Sequence, residues 1–271
     1  MVNAVICHHY GWTDIINTLS ITNFLLSTYT TVFLIYHKPK EALYNYYYRN
    51  CPSIQLVPFD TPQEDTTIIE NLLKNSQAFQ ITGFHFFGFY DKYRQDRFQG
   101  AFQKIGSGDS SQDDTTLIRD KENQEYYFVR KFYETYQIPY IERVESFFLD
   151  RYPEKEEAFY KSMVKSSNYI LIHDTPDVSI PSEIYKGKTY YQLNQSSNIF
   201  FDAVKVLENA LEIHCIDSVW AAVCYLIDAK YNLLRNVRIF VYCLRGHQLM
   251  FKAPVALENW VIIDSSPRII H

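Results

Sequence analysis

Three stretches near the start of the chain decide the fold: Val2-Asn-Ala-Val-Ile-Cys-His8, then His9-Tyr-Gly11-Trp12-Thr13-Asp14, then Thr31-Val-Phe-Leu-Ile-Tyr36. The first and last are unbroken apolar runs of strand length, while the middle stretch carries the glycine and polar residues of a turn. Between the runs, Ile15, Ile16, Leu19 and Leu26 keep helical spacing, which predicts a helix beginning near Asp14. Strand, helix and strand within this length make one βαβ unit, whose two strands must run parallel.

The alternation continues outward. Helices are expected over 40–49 and 66–75, and strands over 54–58 and 79–82. The polar stretch 106–114 (Gly-Ser-Gly-Asp-Ser-Ser-Gln-Asp-Asp) reads as a surface loop, and it lacks the Gly-Lys-Ser/Thr of a P-loop. A charged helix over 153–166 reads as a solvated connector, so the chain is expected to divide into an amino-terminal unit, 1–155, and a carboxyl-terminal unit, 156–271. Tyr169-Ile-Leu-Ile-His173 then restarts the pattern with a fresh strand. A helix over 198–209, the strand Glu212-Ile-His-Cys-Ile216, a helix with Val219, Ala222, Val223, Leu226 and Ile227 on one face, and strands over 237–242 and 260–263 follow. The fold class expected is α/β: two Rossmann-like halves with parallel sheets facing a central cleft.

Composition bounds the function. Apolar residues make up 47% and charged residues 21%, the balance of a chain that buries a sizeable core. With 26 Lys and Arg against 31 Asp and Glu, the net charge is −5, so no general basic surface exists for a nucleic-acid backbone and no nucleic-acid partner is expected. The 23 Tyr and 19 Phe are read first as core residues and second as stacking platforms for sugars or bases. Five widely spaced cysteines without a Cys-x-x-Cys argue for reduced thiols rather than disulfides or a zinc ribbon. No charged, apolar leader is seen and 15–37 contains nine Ser, Thr or Asn residues, so neither a signal peptide nor a transmembrane segment is expected and a cytoplasmic location is.

Ligands of open α/β sheets bind outside the carboxyl ends of the strands, which singles out the loops that follow them. His8, His9, Gly11, Trp12 and Asp14 form the first such loop: Gly11 allows close backbone approach, and a carboxylate at a helix amino terminus is a candidate general base. The plain alternative is that Thr13 or Asp14 only caps the helix. Asp217 and Ser218 follow the second buried strand, where a hydroxyl and free N–H groups suit a diphosphate or a ribose, and N-capping is again the alternative. His173 and Asp174 end a third strand, with Lys188 shortly after as a phosphate partner; a satisfied structural histidine and solvated charge are the competing readings. Adjacent His8 and His9 point to opposite faces, and no third metal ligand stands at familiar spacing.

At these points the chain resembles glycosyltransferases of the GT-B fold, particularly the heptosyltransferase-like group and related viral or bacterial proteins. Gly11-Trp-Thr-Asp14-Ile-Ile16 looks like that group's amino-terminal motif, and Glu212-Ile-His-Cys-Ile-Asp217-Ser218 looks like its donor-site motif. It departs at Trp12, where the family carries a small residue, and it lacks the Glu-x7-Glu pair of some retaining relatives. The resemblance implies transfer of a hexosyl or heptosyl group from a nucleotide-sugar donor to the hydroxyl of a glycan or other acceptor. Asp14 is then the base, with His9 assisting; His173, Asp174, Lys188, Asp217 and Ser218 hold the donor; and His8, Gly11 and Trp12 line the acceptor loop. No Asp-x-Asp is present, so neither metal nor cofactor is expected. The alternatives are a nucleotide-sugar epimerase on the same fold and a non-catalytic glycan- or nucleotide-binding module, while a Ser-His-Asp hydrolase lacks its Gly-x-Ser-x-Gly elbow.

Overall fold

The computed structural model describes residues 2–8, 11–86, 128–135, 137–193, 200–244 and 255–264. The chain forms two compact units, the first ending at Phe148 and the second starting at Leu149 among the described residues.

In the first unit, β1 (Asn3–Cys7), β2 (Thr31–His37), β3 (Ile54–Phe59) and β4 (Ile81–Phe86) form a sheet in the order β3-β2-β1-β4, with all neighbours parallel. Val5 and Cys7 of β1 pack with Ile69, Leu72 and Leu73 of α3 (Pro62–Lys74) on one face. Alternation therefore turns Ile6 and His8 to the opposite face, where α1 (Trp12–Leu25) and α2 (Glu41–Tyr47) lie. Helix α3 begins earlier than its apolar spacing suggested. Thr61 Oγ1 accepts from Glu64 N at 3.2 Å, Glu64 Oε2 accepts from Asp60 N at 2.8 Å, and Pro62 opens the helix.

The polar residues of α1 have a structural explanation. Helices α4 (Phe128–Thr135) and α5 (Glu142–Glu145) pack on α1, so it is buried on several sides rather than along one stripe. Asn17 Oδ1 accepts from the fully buried Arg143 Nη2 at 2.7 Å, and the Arg143 carbonyl accepts from Ser20 Oγ at 2.8 Å. The Asn23 amide donates to Tyr47 Oη and to the Ser146 carbonyl. Among the described residues, no helix is long and apolar enough to cross a membrane.

In the second unit, β5 (Ile170–His173), β6 (Tyr190–Gln192), β7 (Glu212–Ile216), β8 (Arg238–Cys243) and β9 (Trp260–Asp264) form a fully parallel sheet, ordered β6-β5-β7-β8-β9. The helix expected as a solvated connector, α6 (Pro153–Met163), belongs to this unit. Its Glu156 is buried and salt-bridged to Arg151, whose guanidinium also grips Glu208 at 2.7 and 2.9 Å. The segment expected as one helix over 198–209 is a 3-10 turn, Phe200–Ala203, followed by the short helix α7 (Val204–Glu208). Helix α8 (Val219–Tyr231) is buried over almost its whole length and ends on Asn232 in the left-handed region, φ 56°. Beneath its end, the buried Asp228 carboxylate accepts from Leu234 N, Asn259 Nδ2 and Trp260 Nε1, tying α8 to β9.

Candidate functional site

In the first sheet the strand order reverses beside β1, and the crevice outside the carboxyl ends of β1 and β4 is where such sheets take ligands. The residues that follow β1 arrive there. Gly11 occupies the position before α1 with φ −72° and ψ 133°, an extended conformation that any residue adopts, and it provides no side-chain cap. Thr13 and Asp14 are therefore not the capping residue; Asp14 is third in the helix, half-buried, where the helix dipole favours its negative charge. His9 lies outside the described residues.

His8 does not serve the loop. Its ring is buried, with Nδ1 3.0 Å from Tyr44 Oη and Nε2 2.8 Å from Thr22 Oγ1. Burial pushes its pKa down to about 3, so the ring is neutral and engaged at both nitrogens. The strand alternation that faces it toward α1 and α2 corrects the expectation that it meets an acceptor.

Trp12, the first residue of α1, is half-buried and carries Lys40 Nζ over its ring, 3.3 Å from the centroid. Lys40 ends the 3-10 turn Lys38–Lys40 that follows β2, so it too stands at the carboxyl edge of this sheet. Desolvation lowers its pKa to about 8. No motif in the sequence marks it; the only signal is its place just beyond an apolar strand.

In the second sheet the order reverses between β5 and β7. The pairing of His173 with Cys215 sets Asp217 and Ser218 just beyond the end of β7, beside the end of β5. Asp217 is buried, and its N–H donates to the Tyr242 carbonyl at 3.1 Å. Ser218 caps α8 by position, yet its buried Oγ makes no capping bond and has no hydrogen-bond partner. Two residues on, the buried Trp220 Nε1 is likewise without a partner.

The remaining donor candidates divide. His173 is completely buried, donates through Nδ1 to the Leu193 carbonyl at 2.8 Å and lies against Trp220, so its ring supports the edge from within. Asp174 is half-buried and braces its own turn, accepting from Ile180 N at 3.3 Å and from the Gln192 amide. Lys188 is at the wrong end. It precedes β6 and pairs at 2.9 Å with Glu212, which starts β7, and five residues of strand put Asp217 roughly 16 Å away.

Two cavities of about 520 Å³ lie elsewhere, one beside Arg49, Cys51 and Leu56, the other beside Arg151, Glu157 and Lys205. Among the described residues, no group of three or more His, Cys, Asp or Glu side chains is placed to hold a metal ion.

No protein-family model and no curated protein matches the chain. Among solved structures it is similar to a glycosyl transferase family 9 protein from Veillonella parvula DSM 2008, with a TM-score of 0.52 and 7% identity over 96% of this chain and 85% of that one. Lower scores relate it to E. coli heptosyltransferase WaaC with ADP-2-deoxy-2-fluoro heptose (TM-score 0.40, 8% identity, 96% and 92% covered). Arabidopsis thaliana UGT89C1 complexed with UDP scores similarly (TM-score 0.41, 11% identity, 90% and 80% covered). At 7% identity the first likeness is one of fold, and the fold it matches is an α/β architecture of two parallel sheets, the GT-B-like class.

Proposed function

We propose that the chain is a glycosyltransferase that moves a sugar from a nucleotide-sugar donor to an acceptor hydroxyl, with Asp14 as the base. The observation that carries this reading is the edge of the second sheet. Ser218 presents a buried hydroxyl without a partner at the head of a 13-residue helix, beside Asp217 and at the point where the strand order reverses. A diphosphate suits that place, because the first-turn N–H groups and the hydroxyl all donate to an anion. The Asp14 carboxylate takes the acceptor proton as the acceptor oxygen bonds to the anomeric carbon. The bond from that carbon to the diphosphate breaks, and the helix N–H groups stabilise the departing nucleoside diphosphate. Its release needs no metal in this scheme.

A thermal-shift screen of nucleotide sugars identifies the donor, since a ligand that binds only the native state raises its stability. With that donor, free nucleoside diphosphate should form only when acceptor is present, which separates transfer from epimerisation and from mere binding. Asp14→Asn should lose at least about a hundredfold in turnover while nucleotide affinity stays within a few-fold. Normal turnover in that variant would refute the assignment of the base.

A further inference from the structure

One face of β7 and β8 carries a chain of three polar side chains that leads toward the carboxyl edge of the second sheet. His214 and Phe240 are register partners on these strands, and their rings stack with centroids 4.5 Å apart and planes 3° from parallel. Glu212 stands two residues before His214 and Tyr242 two residues after Phe240, so strand alternation puts all four side chains on the same face. His214 Nε2 lies 3.3 Å from Glu212 Oε2, and His214 Nδ1 lies 2.9 Å from Tyr242 Oη.

The charge on Glu212 fixes where the protons sit. Partial burial works against that charge, yet Lys188 Nζ at 2.9 Å, together with His214, keeps the carboxyl below its ordinary pKa, and Arg238 lies 3.9 Å from its other oxygen. An ionised carboxylate only accepts, so Nε2 carries the imidazole proton. The neutral ring then has a bare Nδ1, to which the Tyr242 hydroxyl donates. A second proton on the ring would make Nδ1 a donor and turn the Tyr242 O–H away. The side chains clustered with Tyr242, among them Ile172, Ile180 and Ile216, offer that O–H no acceptor. Burial holds the His214 pKa below its ordinary value, Glu212 opposes this and Lys188 adds to it, while Ile172, its partner on β5, brings no charge. Tyr242 is also where the donor edge is fastened, because its carbonyl accepts from Asp217 N at 3.1 Å, just beyond the end of β7.

We propose that His214 is a proton-operated latch on the edge that carries Asp217 and Ser218. Neutral, it accepts from Tyr242 and holds the end of β8 to β7; protonated, it lets the phenol go and loosens the bond from the Asp217 amide. Weaker retention of a nucleoside diphosphate in acid follows only on the glycosyltransferase reading, whereas the latch itself does not rest on it.

NMR on the full chain tests the latch without any nucleotide, so a failure here strikes the latch and leaves the transferase reading to its own assay. At pH 7.5 a long-range proton–nitrogen correlation spectrum should show His214 as the Nε2–H tautomer, and the Nδ1–H tautomer would overturn the proposal. Between pH 7.5 and 5.5 the protection of the Asp217 amide against hydrogen exchange, corrected for the intrinsic rate, should fall about fivefold more in the parent than in His214→Gln, which does not titrate. A histidine with a merely structural role would leave the two profiles parallel, and parallel profiles refute the latch. Tyr242→Phe removes only the hydroxyl and serves if the glutamine variant folds poorly. There His214 should bind its proton about threefold or more tightly, because the neutral ring has lost its donor, and an unchanged titration would refute the latch as well.

Discussion

Acid should loosen the first unit from the inside, and His8 is the place to measure it. The unfolded imidazole titrates near 6.5, whereas the folded one is held down to about 3 by burial. Between these values the unfolded chain binds a proton that the folded chain refuses, so stability is fully present above pH 6.5 and falls as the pH drops toward 3. From pH 7 to pH 5 the loss from His8 is about 2 kcal/mol. His85, buried and held down to about 4, adds a similar amount over the same interval. The assay is urea unfolding of the parent and of His8→Gln at pH 7, 6 and 5. The glutamine changes the stability at pH 7, but it does not titrate, so the difference between the two curves isolates the histidine. The parent should lose about 2 kcal/mol more than the variant between pH 7 and 5. Parallel pH slopes for the two proteins would refute the argument, because they would mean that His8 takes up its proton in the folded state.

A Cβ added at Gly83 would lie 2.2 Å from Tyr29 Oη and 2.5 Å from Cζ of the same ring, so Gly83→Ala should destabilise the first unit by about 1–3 kcal/mol. Urea unfolding checks this, and an unchanged midpoint would mean that the ring swings away freely. Ser218→Ala should leave stability nearly unchanged, unlike most capping serines, because its Oγ makes no bond to the helix, while nucleotide affinity falls about tenfold. A stability loss with unaltered nucleotide binding would make Ser218 a cap and nothing more.

The alternation of strands and helices was legible where a strand is buried on both faces. β1 and β2 are nearly unbroken apolar runs, as a parallel sheet covered on both sides requires. β6 carries no such signal, since Tyr190–Gln192 is a three-residue, partly exposed edge. For the candidate site, the sequence indicates which loops follow the strands and not how their side chains are enclosed. Periodicity says that His8 and His173 end strands, but it does not say that Tyr44 and Thr22 enclose one while the Leu193 carbonyl and Trp220 enclose the other. Lys188 shows the opposite error. It is close in sequence to His173, yet the chain has by then returned to the far end of the sheet, and Glu212 takes its charge. Lys40 was invisible because what marks it, the Trp12 ring beneath the amine, exists only in three dimensions.

The amides and hydroxyls along α1 work like notches on a key. A shift of one turn along the axis, about 5.4 Å, would strip Asn17 from Arg143, Ser20 from its carbonyl and Thr22 from His8 all at once. A greasy helix in the same slot would have no such stops and could ride up or down on its neighbours. The height of Asp14 above β1 is consequently set by Asn17, Ser20 and Thr22 further along the helix, so a substitution at Trp12 or Lys40 should leave the carboxylate where it is.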